Sequence, residues 1–433
     1  MARVAFFLDT RRIRSADLRD VDAGNPGIGG TEYMFFLVAA HVARTHQVSM
    51  YVTAAGNYPP GIRCVVVQDM REAAVAIRSA GEEILILRDS EVLPNRALLK
   101  SMQQRVLVWA HNFSNRKTLK ACARLPGIAR YLCVSREQHE RLRDEAVFPK
   151  SDYIFNAVVT KAYPTEPQPP TQDNVCYMGS LVKGKGFHVL ARYWGDIVTA
   201  VPTARLHVVG SRRLYNERAA LGPLGLASPG YERQFARYVT EHGRLRKDIV
   251  FHGLLGADKW RLLQEAKVAV TNPTGTGETF CISAAEFGLL GVPVVTRNAG
   301  GPIDVVENGV SGILFDDERE LPAAVVGLLR DEKRRAEMGR QAMARVRSRF
   351  DIEVVIEKWH KTIDEILVGA AVAGDGRVTL HGTDGNRRAM SRLQAAVTGV
   401  GTSVLRGYVR YSPIEPGKAW LRRKVSDRAS RQT

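Results

Sequence analysis

The chain has 433 residues, of which 45% are hydrophobic and 25% charged, the ordinary balance of a soluble globular protein with about two or three domains. This composition excludes a disordered, collagen-like or low-complexity chain, and no uncharged apolar run approaches the ~18 residues that span a bilayer. The net charge of +17 predicts an anionic partner, but eleven Lys and Arg residues against two acids fall within 386–433 alone. The rest of the chain is therefore not predicted to bind nucleic acid.

The first half of the chain alternates short β-rich runs with stretches of helical periodicity. Helices are predicted over 31–44, 70–79 and 135–146. The predicted strands are 4–8, 48–52, 64–67, 84–87, 106–109, 131–134 and 153–155. Because these strands are apolar on both faces, they predict a parallel sheet covered by helices on both sides, within an N-terminal domain of residues 1–163.

A polar, Pro-rich segment at 164–173 interrupts this pattern and predicts a linker. The alternation then restarts, with predicted strands at 175–178, 205–209, 249–251, 268–271, 292–296 and 312–315. The simplest account is two doubly wound, Rossmann-like domains, 1–163 and 174–350, and a closing helix over 351–368 that either closes the second domain or packs back on the first. Residues 369–433 would form a basic appendage.

The cysteines indicate the compartment. They are scattered along the chain without a C-x-x-C pair, which argues against a disulfide framework or a zinc cage and favours a reducing cytosol. The N-terminus opens directly into an apolar run, without the basic segment of a signal peptide. We therefore expect a cytoplasmic protein whose thiols are unpaired and mostly buried. The five cysteines are Cys64, Cys122, Cys133, Cys176 and Cys281.

In open α/β sheets, ligands bind beyond the carboxyl ends of the strands. The polar residues that directly follow the predicted strands are therefore candidates, and two domains face to face would line one cleft with both sets. In the first domain they are Asp9, Arg88, Asp89, His111, Asn112, Ser135 and Asn156. In the second domain they are Gly179, Ser180, Gly210, Ser211, Gly253, 272–278 and 298–301.

Three glycine-rich segments precede predicted helices. Segment 27–32 would let the backbone approach an anionic ligand, although a flexible loop that ends in a helix cap explains it equally well. Segment 179–186 does not have the order of a P-loop, which disfavours ATP hydrolysis, but Lys183 and Lys185 at a helix N-terminus favour a bound diphosphate. Two consecutive glycines within 298–302 would form a nest of amides for phosphate.

The segment 274–286 is the most informative part of the sequence. Glu278 precedes a helix of small and apolar residues that carries Glu286, eight positions later and about 80° around an ideal helix. If Glu278 lies in the loop before that helix, both carboxylates can reach one ligand. Glu286 would be partly buried, and sugar hydroxyls are natural partners for such a group. The structural alternative is a helix-capping Glu278 with an unrelated Glu286.

Taken in order, these motifs resemble glycosyltransferase family 4, a family of retaining enzymes with the GT-B fold. The resemblance covers about residues 3–350, and the Glu-x7-Glu element is its most specific part. The matching positions in the second domain are Gly179-x-Leu181, Lys185-Gly186, Phe251-x-Gly253, Glu278-x7-Glu286, Gly300-Gly301 and Gly309-x-x-Gly312. In the first domain they are Gly29-Gly30-Thr31-Glu32, His111, Val134-Ser135 and Asn156.

The resemblance implies an α/β protein of the GT-B class, with two Rossmann-like domains facing a central cleft. It also implies transfer of a sugar from a nucleotide-diphosphate sugar to a glycan or lipid-linked acceptor. Lys185 would neutralise the leaving diphosphate, Glu278 would contact the transferred sugar, and His111 would lie beside the sugar and the acceptor. The donor-binding positions would be Glu286 at the ribose, Gly300 and Gly301 at the diphosphate, Gly253 near the base, Gly29 and Gly30 near the phosphate across the cleft, and Thr279 and Phe280 beside Glu278.

Two positions depart from the family pattern. Ser180 stands where the family usually has an Arg that helps to bind diphosphate, a charge that Lys183 or Arg212 could supply instead. Asp304 replaces the usual Glu after the double glycine. These departures leave an inactive homologue as one alternative, and a nucleotide-sugar epimerase of the same fold is the other enzymatic reading.

The pair Asp20-Val-Asp22 matches the D-x-D signature by which another transferase fold binds a metal. Because it lies in a charged loop among Arg residues, we interpret it as a solvated loop and predict neither a metal nor a cofactor. His139 and His188 lie on helical segments without ligand spacing, so we expect them at the surface or in packing contacts.

The basic appendage suggests a membrane. If 386–410 is helical, its apolar side chains fall within an arc of about 80° and Arg side chains cluster on the opposite side, a pattern suited to an anionic surface. Its three glycines disfavour a helix, and packing on the body of the protein explains the pattern equally well. A membrane location would fit an enzyme of cell-surface polysaccharide synthesis on the inner face of the plasma membrane. The non-enzymatic alternative is a protein that binds polyanions or membranes.

Overall fold

A computed structural model describes residues 1–166, 169–214, 219–370 and 372. Residues 1–372 form one compact unit, within which we keep the names N-terminal domain for 1–163 and C-terminal domain for 174–350. These two boundaries stay predictions. The appendage at 369–433, including the proposed amphipathic segment 386–410, lies almost wholly outside the described residues.

The N-terminal domain contains a sheet whose strands all run parallel, as predicted. Its strand order is β3-β2-β1-β4-β5-β6-β7, with β1 and β2 in register from Arg3↔Gln47 to Leu8↔Val52. The central strands are buried on both faces because helices cover both sides of the sheet. The strands are β1 Arg3–Leu8, β2 Gln47–Val52, β3 Arg63–Val66, β4 Ile84–Arg88, β5 Arg105–Ala110, β6 Ile128–Cys133 and β7 Ser151–Tyr153.

Helices connect these strands on both faces of the sheet. The first is apolar nearly all round, and most of its residues are buried, because it lies between the sheet and the last helix of the described chain. The helix predicted over 135–146 ends at Glu140, since the chain then turns so that Leu142 and Val147 can enter the core. The helices are α1 Gly30–Val42, α2 Met70–Ser79, α3 Arg96–Ser101, α4 Arg116–Arg124 and α5 Arg136–Glu140.

The C-terminal domain contains a second parallel sheet, which confirms the restart of the pattern after the Pro-rich segment. Its strand order is β12-β9-β8-β13-β14-β15, and a short antiparallel hairpin, β10–β11, stands apart from it. The strands are β8 Asn174–Met178, β9 Arg205–Val209, β10 Thr240–Glu241, β11 Arg244–Leu245, β12 Ile249–Gly253, β13 Val268–Val270, β14 Val294–Arg297 and β15 Gly312–Phe315.

The last helix packs back on the N-terminal domain rather than on the domain that precedes it. Trp359 on this helix meets Trp109 of the first sheet edge-to-face, with ring centroids 4.7 Å apart. Val158 and Asp351 form a backbone bridge at its start. The helices are α6 Phe187–Ala200, α7 Pro229–Val239, α8 Trp260–Leu263, α9 Ile282–Leu289, α10 Pro302–Val305, α11 Leu321–Arg330, α12 Glu332–Phe350 and α13 Ile352–Leu367.

Candidate active site

A cavity of about 230 Å³ lies where the carboxyl ends of both sheets meet. Its lining follows strands β5 and β7 of the N-terminal domain and β8, β9, β12 and β13 of the C-terminal domain. The rule that ligands bind beyond the carboxyl ends of open sheets therefore locates it correctly. Of the predicted site residues, the cavity lining contains Gly30, His111, Lys185, Glu278, Thr279, Phe280 and Glu286.

Lys185 and Glu278 form an ion pair at this cavity. The Lys185 Nζ lies 2.6 Å from Glu278 Oε2, and the Asn272 Nδ2 donates a hydrogen bond to the same oxygen at 3.1 Å. Both charged side chains are largely buried, at 27% and 14% exposure. Because the interaction of charges strengthens away from water, the ammonium group would interact strongly with a diphosphate that enters the cavity.

Residues in the left-handed backbone conformation shape the loops that carry Lys185 and Glu278. Gly186 has φ +76°, and a Cβ there would lie 2.8 Å from the Thr274 side chain, so only glycine allows the turn after Lys185. Asn272 and Cys281, at the two ends of the loop that carries Glu278, have φ +34° and +78°. Strained residues of this kind concentrate at functional sites.

Glu286 lies on α9 and is paired with a lysine that the sequence analysis did not identify. The Lys259 Nζ lies 2.8 Å from Glu286 Oε1, and the two side chains are 8% and 9% exposed. The Tyr163 hydroxyl also donates to Glu286 Oε1, at 3.4 Å. Burial, together with the negative charge of Glu286, raises the pKa of Tyr163 well above its usual value, so this phenol stays protonated.

His111 directly follows β5 and presents a neutral imidazole. Burial, and secondarily the positive charge of Arg88, holds the pKa of His111 well below the usual 6.5. Its side chain is packed beside Phe35 and Trp109, with ring centroids 5.9 and 4.4 Å away. Within the described chain, the buried His111 Nε2 has no hydrogen-bond partner. His111 lines the cavity, and a buried ring nitrogen without a protein partner is a candidate for a hydrogen bond to a ligand.

The two domains touch beside the cavity. The Thr279 hydroxyl donates to the His111 carbonyl oxygen at 2.6 Å, so Thr279 contributes to the contact between domains as well as to the cavity wall. A Cβ at Gly30 would lie 3.0 Å from the Ile282 side chain, which shows how closely α1 and α9 approach. Gly29, the cap of α1, is not among the lining residues.

Comparison with known proteins agrees with this architecture. Residues 161–345 match the family model described as glycosyl transferases group 1. The match covers less than half of the chain, and over these residues the chain is similar to the group 1 glycosyltransferases. This finding confirms the predicted resemblance at the level of the family, and the two parallel α/β sheets are those of the predicted GT-B fold.

Individual relatives resemble parts of the chain. A GDP-mannose-dependent alpha-mannosyltransferase of Corynebacterium glutamicum is 38% identical over 106 residues, 24% of each chain. The capsular polysaccharide biosynthesis glycosyltransferase CapM of Staphylococcus aureus is 24% identical over 193 residues, 44% of this chain and 46% of CapM. The chain therefore spans less than half the length of these curated relatives.

The structure of HepE from Anabaena, solved in complex with UDP-glucose, superposes with a TM-score of 0.64 at 16% identity. The superposition covers 84% of this chain and 100% of HepE. At this level of identity the likeness shows the fold alone.

The double glycine makes close contacts within the protein, while its predicted role at the diphosphate stays a prediction. The Gly301 amide donates to the Glu278 carbonyl oxygen at 2.9 Å, so in this conformation that amide does not face a diphosphate. A Cβ at Gly301 would lie 2.3 Å from the backbone of Thr279, and one at Gly300 would lie 2.5 Å from the Glu278 oxygen. Neither glycine lines the cavity. Both let the segment from Glu278 to Phe280 pack closely.

The glycine predicted near the base is placed beside the cavity rather than in its wall. Gly253 ends β12 at an irregularity of the sheet, with φ +69°. The next residues, Leu254 and Leu255, line the cavity. An apolar surface at this position suits the face of a base.

The first departure from the family pattern, at Ser180, has a structural consequence at the cavity. Ser180 lines the cavity but donates to the Ser211 carbonyl oxygen at 2.9 Å. Lys183 is exposed, and neither it nor Arg212 lines the cavity. Among the described lining residues the ammonium groups are those of Lys185 and Lys259.

Asp304 lies outside the cavity, at the contact between the domains. It is 3% exposed, and its Oδ2 accepts a hydrogen bond from the Glu137 amide at 2.7 Å. This contact places a carboxylate at the N-terminus of α5, where the helix dipole favours negative charge. Its shorter side chain therefore serves a contact between the two domains.

The D-x-D pair has a structural role in this conformation. Asp20 accepts hydrogen bonds from the Asp22 and Ala23 amides and caps a short turn, while Asp22 Oδ1 lies 2.8 Å from His41 Nε2. No group of three or more His, Cys, Asp or Glu side chains suited to a metal occurs within the part of the chain that the structure describes. Over the same residues, no helix has the length and apolarity to cross a bilayer.

Proposed function

We propose that this protein is a retaining glycosyltransferase that moves a sugar from a nucleoside-diphosphate sugar to a glycan or lipid-linked acceptor. One observation carries the proposal: Lys185, Glu278, Glu286 and His111, which lie far apart in the sequence, line a single cavity between two parallel sheets. The group 1 family match over 161–345 supports the same activity.

The proposed donor places its diphosphate at Lys185. When the bond between the anomeric carbon and the diphosphate breaks, negative charge grows on the departing phosphate oxygen, and the ammonium group stabilises it. A fixed group of this kind is typically worth about 10²–10³ in rate. The acceptor oxygen forms the new glycosidic bond, and its proton leaves with the nucleoside diphosphate.

The proposed sugar position lies between Glu278 and His111. Because the imidazole is neutral and its buried Nε2 is unpartnered, a sugar hydroxyl would complete its hydrogen bonding. Glu278 would accept a hydrogen bond from the sugar as Lys185 turns to the diphosphate, and Glu286 would accept from the ribose hydroxyls. Retention of the anomeric configuration rests on the resemblance to glycosyltransferase family 4.

Three finer parts of the proposal rest on relatives and on composition. A GDP-mannose-dependent relative and a structural neighbour solved with UDP-glucose suggest GDP-mannose and UDP-glucose as the first donors to test. The name of CapM supports a role in polysaccharide synthesis at the cell surface. The net charge of +9 within 386–433 supports peripheral binding to anionic lipid. Flotation with anionic but not neutral vesicles, lost when 386–433 is deleted, would support that binding.

A donor screen tests the activity directly. Nucleoside diphosphates and nucleotide sugars are added to the full chain, and the correct donor is expected to raise the melting temperature by binding the folded state. Sugar transfer from that labelled donor to a polyprenyl-linked or glycan acceptor should follow, with the product linkage read by NMR. Release of an epimerised nucleotide sugar would instead indicate an epimerase. Failure of every nucleotide to bind would contradict the proposed function.

A further inference from the structure

Lys259 is the charged side chain of the cavity for which neither the motifs nor the family resemblance gives a role. It lies in a short turn, Ala257–Lys259, between β12 and α8. This is six residues beyond Gly253, the candidate position that follows β12. Its side chain is 8% exposed and lines the cavity. A lysine is rarely buried to this extent unless it is paired.

The contacts of Lys259 join both domains. Its Nζ lies 2.8 Å from Glu286 Oε1 in the C-terminal domain and 3.5 Å from the Asn25 carbonyl oxygen in the N-terminal domain. An ammonium group has three N–H donors, so it can serve both acceptors and still donate to a ligand. One side chain therefore links the proposed ribose-binding carboxylate to the opposite wall of the cavity.

The loop that Lys259 meets is itself fixed. The Asn25 Oδ1 accepts hydrogen bonds from the Gly27 and Ile28 amides, both at 2.9 Å, and its Nδ2 donates to the Ile28 carbonyl oxygen at 3.0 Å. A Cβ at Gly27 would lie 3.0 Å from the Leu255 carbonyl oxygen, so this loop and the one that leads to Lys259 are in close contact.

The pair is poorly explained as a source of stability alone. Burying two charges costs solvation that their attraction only partly returns, and well-packed apolar residues are often as stable in such a place. A buried pair that lines a cavity has a further use, because its ammonium group fixes the direction of the carboxylate before the ligand arrives. Preorganisation of this kind increases ligand affinity.

We propose that Lys259 is a donor-positioning residue, which holds Glu286 towards the nucleoside and ties it to the loop at 24–28, so that donor binding depends on contact between the two domains. This inference rests on the proposed function, since it assumes that Glu286 meets the donor. It assigns Lys259 no part in bond breaking. The consequence is that Lys259 affects donor affinity much more than turnover of bound donor.

Calorimetric titration of the full chain with GDP and with UDP tests the proposal. Lys259→Met is expected to raise the Kd of the nucleotide that wild type binds by about 10-fold, within the 5–150-fold range typical of coupling between sites. Lys259→Arg keeps the charge and should stay within about 3-fold of wild type by the same scale. Lys259→Gln keeps a hydrogen-bond donor without the charge, so its nucleotide Kd should lie between those of the Met and Arg variants. If Lys259→Met does not fold, the comparison of Lys259→Gln with wild type replaces it.

Lys267→Met is the matched control. Lys267 lies in the same domain as Lys259, pairs at 2.8 Å with Asp173 at the end of the Pro-rich segment, is 16% exposed, and does not line the cavity. Its loss should lower the melting temperature without changing the nucleotide Kd. A Lys259 variant that behaved in the same way would have a structural role only, which would overturn the proposal.

Steady-state kinetics separates positioning from chemistry. For Lys259→Met, the KM for the donor should rise in parallel with the Kd while kcat at saturating donor falls much less. Equal Kd values for wild type and Lys259→Met would refute the role of Lys259 and leave the proposed glycosyltransferase standing. A wild type that binds neither GDP, UDP nor any other nucleoside diphosphate would remove both.

Discussion

The two walls of the cavity differ in charge. The C-terminal wall carries two ion pairs, the partly buried Lys185–Glu278 and the buried Lys259–Glu286. The polar side chains that the described N-terminal domain contributes are neutral, His111 included, because burial holds the pKa of that imidazole well below 6.5. They are Asn25, Thr31, His111, Asn112 and Asn156.

This difference separates two kinds of recognition. Fixed charges in a partly buried site interact strongly with an anion, so the C-terminal wall suits a diphosphate. Neutral groups bind hydroxyls directionally, and they penalise a ligand that leaves them unpaired, so the N-terminal wall suits selection of a sugar or acceptor. Within the described chain, the buried Asn156 Oδ1 and His111 Nε2 both lack a protein partner, which fits such a wall.

The largest effect is expected on the charged wall. Lys185→Ala should lower kcat by about 10²–10³ because the leaving diphosphate loses its ammonium partner. Initial rates with saturating donor measure the change, and an unaltered melting temperature shows that the fold is intact. Lys183→Ala, an exposed neighbour outside the cavity, is the comparison and should retain the wild-type rate. Equal losses in the two variants would contradict the assignment of the charge to Lys185.

A second prediction tests the backbone that presents Glu278. Gly301→Ala would push a methyl group into the Thr279–Phe280 backbone and displace the segment that carries the carboxylate. A displacement of about 1 Å at reacting groups can cost about 10²-fold in kcat/KM. Gly327→Ala, on α11 with nothing within 4 Å of the added Cβ, is the matched glycine and should leave activity unchanged. A fully active Gly301→Ala enzyme would show that the segment does not need this packing.

A substitution in the neutral N-terminal wall should lower kcat/KM less than Lys185→Ala does. His111→Phe keeps an aromatic ring beside Phe35 and Trp109 but removes the proposed hydrogen bond to the sugar, which would be worth about 0.5–1.5 kcal/mol, or up to about 10-fold in kcat/KM. His139→Phe is the control, because His139 stacks on Phe148 away from the cavity. If His111→Phe lowered the activity as much as Lys185→Ala, the neutral wall would not have the smaller effect that we propose.

The smallest expected effect is on the pH dependence of the free energy of unfolding. Because the pKa of His111 is lowered in the folded state, the unfolded chain takes up a proton below about pH 6.5 while the folded imidazole stays neutral. Uptake by the unfolded state alone favours unfolding, so this group makes the protein less stable as the pH falls from 7 towards 5, by at most about 1.4 kcal/mol per pH unit. Urea unfolding at several pH values should show a shallower dependence in His111→Phe. If the free energy of unfolding depended on pH equally in wild type and in His111→Phe, the His111 imidazole would have to protonate in the folded protein.

Several cavity-lining residues could be predicted from the sequence, because the patterns that identify them extend over only a few neighbouring residues. The placement of Glu278 in a loop and of Glu286 on the following helix follows from a short segment whose helix begins at Ile282. Lys185 stands out because lysines beside glycines at a helix start are electrostatically unusual. His111 follows a strand whose apolar run is visible in the sequence.

The contacts that the sequence did not reveal involve residues whose partners are distant in the chain. The amide of Gly301 looks free in a glycine pair, yet it is taken by the Glu278 carbonyl oxygen, 23 positions away. Asp304 stands out in the sequence only as a replacement for the usual Glu after the double glycine, yet it accepts a hydrogen bond from the Glu137 amide of the other domain, 167 positions away. Lys259 has no motif around it, and only its burial beside Glu286 marks it.

The sequence by itself determined the two parallel sheets, the helices between them and the edge at which a ligand would bind, because strand and helix periodicity depends on residues a few positions apart. The tertiary structure alone decided which charges are paired, which amides are occupied and which side chains cross between the domains. Those outcomes depend on distances of a few ångströms between segments that lie up to hundreds of residues apart, and packing sets such distances.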